Sequence, residues 1–244
     1  MRTRAVIVVV ALAASLLAAD GPADPVEPAF GDLDAPIRPG SSLGGYCTFN
    51  WVFHQVVEPT TADPAPVPDV YIGTAAHCTD DLGERTELAG YGEIGTVVYD
   101  ADLARSASDF SLIRIDADLV GDTNPQMRGF EGPTGYVVPE DLAVGDQVDV
   151  HGYGIVLGQN DVTRSRFGFL TGWDDREYVA DMPAVNGDSG SPLLHDETGK
   201  ALGIISRYGI SEVPPSTDVG PLISWILDDL EAAGFDDVVL STIS

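Results

Sequence analysis

Three short stretches of the sequence carry side chains that together could perform nucleophilic catalysis. Ser189 stands between glycines in Asn-Gly-Asp-Ser-Gly-Ser-Pro, His77 in Thr-Ala-Ala-His-Cys, and Asp109 directly before the apolar run Phe-Ser-Leu-Ile. Serine is a weak nucleophile at neutral pH, so it needs a base that takes its proton. A histidine titrates near neutrality, and a carboxylate can orient its ring. These residue types therefore fit a serine nucleophile with its base and its orienting acid.

Each stretch also has a simpler interpretation. Gly, Asn, Asp and Ser crowd together in ordinary surface turns, so the surroundings of Ser189 alone would indicate only a bend. Asp109 alone would be the first residue of a strand. Among the other histidines, His54 lies in a strand run and His195 borders a hairpin turn, so both are interpreted as structural or surface residues, while His151 stays ambiguous.

In this chain order, the three stretches together resemble the chymotrypsin/trypsin family of serine peptidases, and its bacterial branch in particular. The resemblance runs from about Cys47 to the last predicted helix. It implies a serine endopeptidase that forms an acyl-enzyme, with His77, Asp109 and Ser189 as catalytic triad. It also implies an oxyanion hole made by the backbone N–H groups of Gly187 and Ser189, and protein or peptide substrates.

The resemblance also locates the substrate pocket. Its base corresponds to Pro183, and the Ser206 carbonyl would bind the substrate backbone. Since Pro183 carries no charge, we expect cleavage after neutral apolar or small residues; a different loop arrangement would bring Asp181 into the pocket. The Ile-Val-Gly-Gly type of mature start found in many relatives is missing, so Asp188 needs another partner, and an internal arginine is one choice.

Two alternatives compete with this interpretation. An α/β-hydrolase elbow needs Gly-x-Ser-x-Gly, but the second residue after Ser189 is Ser191. A non-catalytic peptide-binding protein could keep the same fold, although it would have no need for all three triad residues.

The start of the chain is typical of a secretory signal peptide. Met-Arg-Thr-Arg precedes a short apolar run that ends at Asp20-Gly-Pro, which predicts a signal over residues 1–19 and a secreted, extracellular protein. An uncleaved signal anchor is the alternative. Residues 20–44 are rich in Pro and Asp and predict a linker or short pro-segment, followed by a peptidase domain over 45–234 and a tail over 235–244.

Cysteine and charge content narrow the chemistry further. The two cysteines, Cys47 and Cys78, predict one disulfide in an exported chain, with two free buried thiols as the alternative. No Cys or His cluster has metal-ligand spacing, so we expect neither metal nor cofactor. Acidic residues outnumber basic ones 39 to 12, for a formal charge of −27. Such a charge repels nucleic acid and anionic membranes, and we expect a monomer without stable membrane association after signal cleavage.

Short apolar or alternating runs between turn signals predict an all-β fold. The candidate strands are 48–57, 70–73, 95–99, 110–115, 147–150, 166–171, 177–180, 192–194 and 201–206, with a hairpin turn over 196–200. One helix is predicted, with Pro221 in its first turn and Gly234 at its end. For this pattern, the family resemblance implies two six-stranded antiparallel β-barrels, divided near 120–135, with a C-terminal helix.

Overall fold

The computed structural model describes residues 25–59, 67–104, 108–154, 161–208 and 216–243. The predicted signal over 1–19 lies outside these residues. The described chain forms two curled antiparallel sheets and a C-terminal helix, as the all-β prediction required. None of its helices is long and apolar enough to cross a membrane.

The first sheet contains the N-terminal strands and one strand from the C-terminus. Its first seven strands are β1 (Ser42–Leu43), β2 (Cys47–Thr48), β3 (Val52–Gln55), β4 (Val70–Ala75), β5 (Arg85–Leu88), β6 (Gly92–Asp100) and β7 (Phe110–Ile115). A short helix, α1 (Ala101–Ala104), joins β6 to β7, and a 3₁₀ turn, Ala76–Cys78, follows β4. Further 3₁₀ turns follow at Ala117–Asp122 and Pro139–Asp141.

The second sheet has seven strands in the order β12-β11-β8-β9-β10-β14-β13. They are β8 (Gln147–His151), β9 (Ser165–Trp173), β10 (Glu177–Met182), β11 (Pro192–His195), β12 (Lys200–Ile204), β13 (Arg207–Tyr208) and β14 (Ser216–Pro221). A short helix, α2 (Asp161–Arg164), precedes β9. The turn predicted between β11 and β12 is present, and it is closed by the Gly199 N–H donating to the His195 carbonyl at 2.9 Å.

The strand counts differ from the predicted six and six. Within the described residues, the first sheet has eight strands, in the order β15-β3-β4-β7-β6-β5-β1-β2, and the second has seven. The strands that the sequence pattern missed, such as Arg85–Leu88 and Ser216–Pro221, contain few apolar residues. Apolar runs mark a strand only where the side chains are buried, so polar strands of this kind leave no such signal.

The C-terminal helix begins later than predicted. It spans Ile223–Ala232 (α3), with Leu222 as its N-cap, because Pro221 is the last residue of strand β14. Gly234, at φ +93°, follows its end as expected. The chain then returns to the first sheet as β15 (Val238–Leu240), which pairs with β3. The segment assigned to a tail therefore closes an edge of the N-terminal sheet.

Residues of the predicted linker pack onto the first sheet. Ile37 is completely buried, its N–H donates to the Asp122 carbonyl, and Val26 forms a bridge with Val57. Trp51 connects the two sheets, because its indole N–H donates to the Gly203 carbonyl at 3.1 Å. The core between the sheets places the loops that follow β4, precede β7 and precede β11 beside one another.

Candidate active site

His77 is held at the end of strand β4 by the 3₁₀ turn and by a disulfide. Cys78 is bonded to Cys47 of strand β2, with a Cα–Cα distance of 6.2 Å, which confirms the predicted pairing. The disulfide fixes the backbone next to His77, whose own side chain is 43% exposed. Both sulfur atoms near the ring are in this bond, so the group Cys47, His77 and Cys78 offers no thiolates to a metal.

Asp109 accepts hydrogen bonds from His77 and from Ser206. Its carboxylate oxygens lie 3.1 and 3.0 Å from His77 Nδ1, and the backbone N–H of His77 donates to the same group at 3.1 Å. The Ser206 hydroxyl donates to its Oδ2. Asp109 has φ +44°, in the left-handed region where Asp and Asn are tolerated better than most residues. This turn aims the carboxylate back at the imidazole.

The contacts change the acidity of both partners. The hydrogen bond to Asp109 raises the pKa of His77 above its ordinary value of 6.5, although burial of the ring opposes it. Burial alone would raise the pKa of Asp109, but the hydrogen bonds from His77 and Ser206 outweigh it and the pKa is lowered. Asp109 is therefore an anion at neutral pH, and it favours a protonated imidazole beside it.

Ser189 lies on a loop that is hydrogen-bonded to strand β2 and to the residue that follows strand β12. The Thr48 N–H donates to the Ser189 carbonyl at 2.9 Å, and the Gly190 N–H donates to the Ile205 carbonyl at 2.7 Å. The sulfur of Cys78 lies 4.0 Å from the same Ser189 carbonyl, which places this loop beside the His77 turn. A Cβ on Gly190 would lie 2.2 Å from the Thr48 carbonyl, so only glycine fits there.

The backbone around Ser189 has two donors without an acceptor among the described residues. Gly187 has φ +101°, which a side chain would disfavour. Within the described part of the chain, the N–H groups of Gly187 and Ser189 donate to no acceptor, although the Gly187 carbonyl accepts from the Thr48 hydroxyl at 3.0 Å. Buried backbone donors are nearly always paired, so unpaired ones indicate a place for an incoming acceptor.

Asp188 is paired with Arg166 of strand β9. The guanidinium donates to its two oxygens at 2.6 and 2.8 Å, and the N–H groups of Gly154 and Val185 donate at 2.8 and 2.9 Å. The Asp188 side chain has no exposed surface, and that of Arg166 is 8% exposed. An internal arginine thus takes the place of a chain-terminal ammonium.

The predicted pocket residues occupy different surroundings. Pro183 is exposed, and its carbonyl accepts from Arg166 at 2.9 Å. Ser206 is 6% exposed, and its hydroxyl is directed at Asp109. Asp181 accepts from the Thr217 hydroxyl at 3.3 Å on the neighbouring strand.

Two residues of the site had no signal in the sequence. Thr48 donates to the carbonyls of Ser189 and Gly187 and accepts from the Tyr153 N–H. Arg166 neutralises Asp188 from 22 residues away. Both act through contacts between distant segments, which a local motif does not encode. His195 bonds Thr198 and Asp146, and His54 bonds Ser241, in keeping with structural roles for both.

Solved bacterial proteases have a similar structure. Neither a protein-family model nor a curated protein sequence matches the chain. Thermobifida fusca protease A matches at a TM-score of 0.57 and 19% identity, covering 85% of this chain and 99% of its own. Cellulomonas bogoriensis chymotrypsin matches at 0.54 and 18%, covering 85% and 99%. Nocardiopsis protease matches at 0.54 and 15%, covering 83% and 97%. The chain thus has the two-barrel fold of the bacterial chymotrypsin-like serine proteases.

Proposed function

We propose that the chain is a serine endopeptidase in which Ser189 is the nucleophile and His77 its base. The observation that carries the proposal is the hydrogen bonding of His77 Nδ1 to both carboxylate oxygens of Asp109, at 3.1 and 3.0 Å. This contact leaves Nε2 of the same ring as the nitrogen that can accept a proton. The similar fold of the bacterial proteases supports a peptide substrate.

Catalysis would proceed by two acyl-transfer steps. His77 Nε2 takes the proton of the Ser189 hydroxyl as its oxygen attacks the peptide carbonyl, and a covalent tetrahedral intermediate forms. The imidazolium then gives that proton to the leaving amine, which departs and leaves an acyl-enzyme. A water molecule, deprotonated by the same nitrogen, releases the acyl group and restores the serine hydroxyl.

Two groups would stabilise the charges that develop. The N–H groups of Gly187 and Ser189, which have no acceptor among the described residues, are available to donate to the oxyanion, and removing one such donor typically costs about 3–4 kcal/mol of transition-state stabilisation. The Asp109 carboxylate stabilises the imidazolium, since its hydrogen bond already raises the pKa of His77. The Asp188–Arg166 pair would hold the loop in the shape that presents both donors.

The finer assignments complete the proposal. The protein would be secreted and monomeric, and would cleave after neutral apolar or small residues bound near Pro183, with the Ser206 carbonyl holding the substrate backbone. The neutral side chain of Pro183 supports this preference. A peptide-library digest checks it, and strong selectivity for cleavage after Arg or Lys would overturn it.

An active-site label tests the reaction directly. We expect a fluorophosphonate to modify the wild-type protein at Ser189 alone, located by peptide mapping, and unfolded casein to be cleaved. Ser189→Ala should lose both properties while keeping its melting temperature, because the side chain is partly exposed and small. A folded wild-type protein with neither label nor cleavage would instead be a non-catalytic peptide-binding protein.

A further inference from the structure

An arginine-lined cavity lies outside the catalytic residues. It has a volume of about 240 Å³, and Arg38, Arg128, Arg164, His151 and Tyr153 are among its lining residues. The whole chain contains only 12 lysines and arginines against 39 acidic residues. Three of the 12 basic residues line this one cavity, although the protein as a whole is strongly negative.

Arg38 is the most deeply placed of these cations. It is 7% exposed and donates to the backbone carbonyls of Leu33, Gln126 and Met127. No carboxylate within the described part of the chain forms an ion pair with it. Burial and the neighbouring charge of Arg128 both lower the pKa of Arg38, so both make its charged form less favourable. Buried charges normally have a partner of opposite sign, and an anionic ligand would supply one.

The other two arginines are held in place around the opening. Arg128 donates to the Pro36 carbonyl at 2.9 Å and to the Ser41 hydroxyl at 3.1 Å. The Arg164 guanidinium stacks 4.0 Å above the Tyr153 ring centroid. Such contacts limit the rotamers of both side chains, so less entropy is lost when they bind an oxyanion.

The cavity is connected to the nucleophile loop through Tyr153. A larger neighbouring cavity of about 520 Å³ shares Arg128 and Tyr153 with it and extends past Gly45. The Tyr153 N–H donates to the Thr48 hydroxyl at 3.1 Å, and this hydroxyl donates to the Gly187 carbonyl. The two cavities therefore share a wall formed by Arg128 and Tyr153, and the Tyr153 backbone joins that wall through Thr48 to the loop that carries Gly187.

In the proposed function, these two cavities would lie on the leaving-group side of the scissile bond. The Ser189 carbonyl accepts from the Thr48 N–H, and the next residue, Gly190, donates to the Ile205 carbonyl beside Ser206. In the proposed function the acyl part of the substrate lies along Ser206. The amine part then leaves towards Thr48 and Tyr153.

We propose that the arginine-lined cavity binds a carboxylate on the leaving-group part of the substrate, and so selects peptides that are acidic a few residues beyond the cleaved bond. This inference rests on the proposed endopeptidase activity and adds a substrate class to it. The carboxylate can come from an Asp or Glu side chain or from the C-terminus of a short peptide. Paired guanidinium groups bind both, because each presents two oxygens in the same geometry.

Matched fluorogenic peptides test the selection. One set has an amidated C-terminus and carries Asp or Asn at the second, third or fourth position beyond the cleaved bond. A second set has Asn throughout and ends in a free acid or an amide. At about 0.15 M salt, where the screening length is roughly 8 Å and repulsion from distant acids is damped, we expect kcat/KM to be about tenfold or more higher for a carboxylate at one position.

Substitutions then assign the effect to the cavity. Arg128→Gln and Arg164→Gln should each remove most of the preference for the acidic peptide and leave kcat/KM for the neutral peptide unchanged. Arg114→Gln is the matched control, because it removes the same charge from an exposed residue of strand β7 that lies 3.8 Å from Asp69. It should keep the full preference. Melting temperatures identify any variant that fails to fold, and the second arginine variant then decides.

The outcomes separate this inference from the proposed function. Cleavage of all peptides at equal rates, or a preference that survives both arginine substitutions, overturns the inference and leaves the endopeptidase intact. Absence of any cleavage overturns the endopeptidase. The cavity is then judged by calorimetry of the Ser189→Ala protein with the acidic peptide and its Asn analogue, where equal affinities overturn it. A preference confined to the free C-terminal acid supports the inference and identifies the source of the carboxylate.

Discussion

Asp109 and Asp188 are two carboxylates on either side of the proposed reaction centre, and their partners differ in kind. Asp188 has no exposed surface and is bonded to a guanidinium and two backbone N–H groups. The Asp109 side chain is 17% exposed, and its main partner is an imidazole that is 43% exposed. An arginine remains charged at every relevant pH, whereas a histidine exchanges its proton near neutrality.

The two carboxylates therefore have different expected roles: Asp188 a structural one, and Asp109 a chemical one. Since Arg166 cannot release a proton, its pair with Asp188 can only fix the shape of the loop that carries Ser189. The Asp109 pair can stabilise a charge that appears and disappears during turnover. Substitutions at the first pair should therefore change mainly stability, and those at the second mainly rate.

The largest expected effect is on catalysis, from Asp109→Asn. We expect kcat to fall by ~10⁴-fold, because an amide no longer stabilises the imidazolium or selects the correct tautomer. The melting temperature should change little, since Asn also tolerates the left-handed backbone at φ +44°. Steady-state kinetics and thermal unfolding measure the two quantities. A loss below tenfold would show that Asp109 does not act through His77.

The next largest effect is on stability, from Arg166→Gln. Removing one partner of a buried ion pair typically costs about 3–5 kcal/mol, because the remaining charge stays buried. We expect this loss in denaturant unfolding at neutral pH. Arg114→Gln is the control, since it breaks only an exposed pair with Asp69 and should cost about 0–1 kcal/mol. Equal losses in the two variants would contradict the structural role of the Asp188 pair.

The proposed catalytic residues could be singled out in the sequence because each has a local signature. Ser189, His77 and Asp109 stand in short motifs whose residue types follow from the chemistry, and the structure joins His77 to Asp109 directly. The disulfide followed from a count of two cysteines. Arg166 was not predictable, because its pairing with Asp188 depends on a loop geometry that no neighbouring residue indicates.

The same distinction holds for the fold. Strands with apolar runs, such as Phe110–Ile115, were found with their correct ends. Strand β15 (Val238–Leu240) was missed, because three residues after a helix are too few to show a period. Residues 25–44 have the composition of a linker, yet Ile37 is buried by contacts with a segment more than 80 residues away. Composition reports local preference and not such distant contacts.

The disulfide between Cys47 and Cys78 is expected to affect both the stability of the fold and the rate of catalysis. On the chain-entropy model, a bridge between residues 31 apart stabilises by roughly 3–4 kcal/mol. The double variant Cys47→Ala/Cys78→Ala should lose about that much in denaturant unfolding, and kcat should also fall because the His77 turn is less fixed. Non-reducing peptide mapping of the wild-type protein is the control for the bond. A variant with unchanged kcat would show that the fold alone positions His77.

The smallest expected effect is from Ser206→Ala, which removes one hydrogen bond to Asp109. A net contribution of about 0.5–1.5 kcal/mol predicts a loss of roughly two- to tenfold in kcat/KM. The acid limb of the pH profile reports protonation of His77 in the free enzyme. Since the Asp109 hydrogen bond raises the pKa of His77, this limb should lie above 6.5 in the wild-type protein and activity should fall as the pH drops through it.

The pH profile distinguishes Ser206 from Asp109 as the source of that shift. In Ser206→Ala the carboxylate remains, so the limb should stay above 6.5, whereas in Asp109→Asn it should move down. Ser224→Ala is the control, since it removes a hydroxyl on helix α3 that forms no hydrogen bond within the described residues. If Ser206→Ala moved the limb as far as Asp109→Asn, the serine would be needed to keep the carboxylate in contact with His77. The contrast between the two carboxylates would then extend to how each is held: Asp188 by a permanent charge, and Asp109 by the Ser206 hydroxyl together with the backbone N–H of His77.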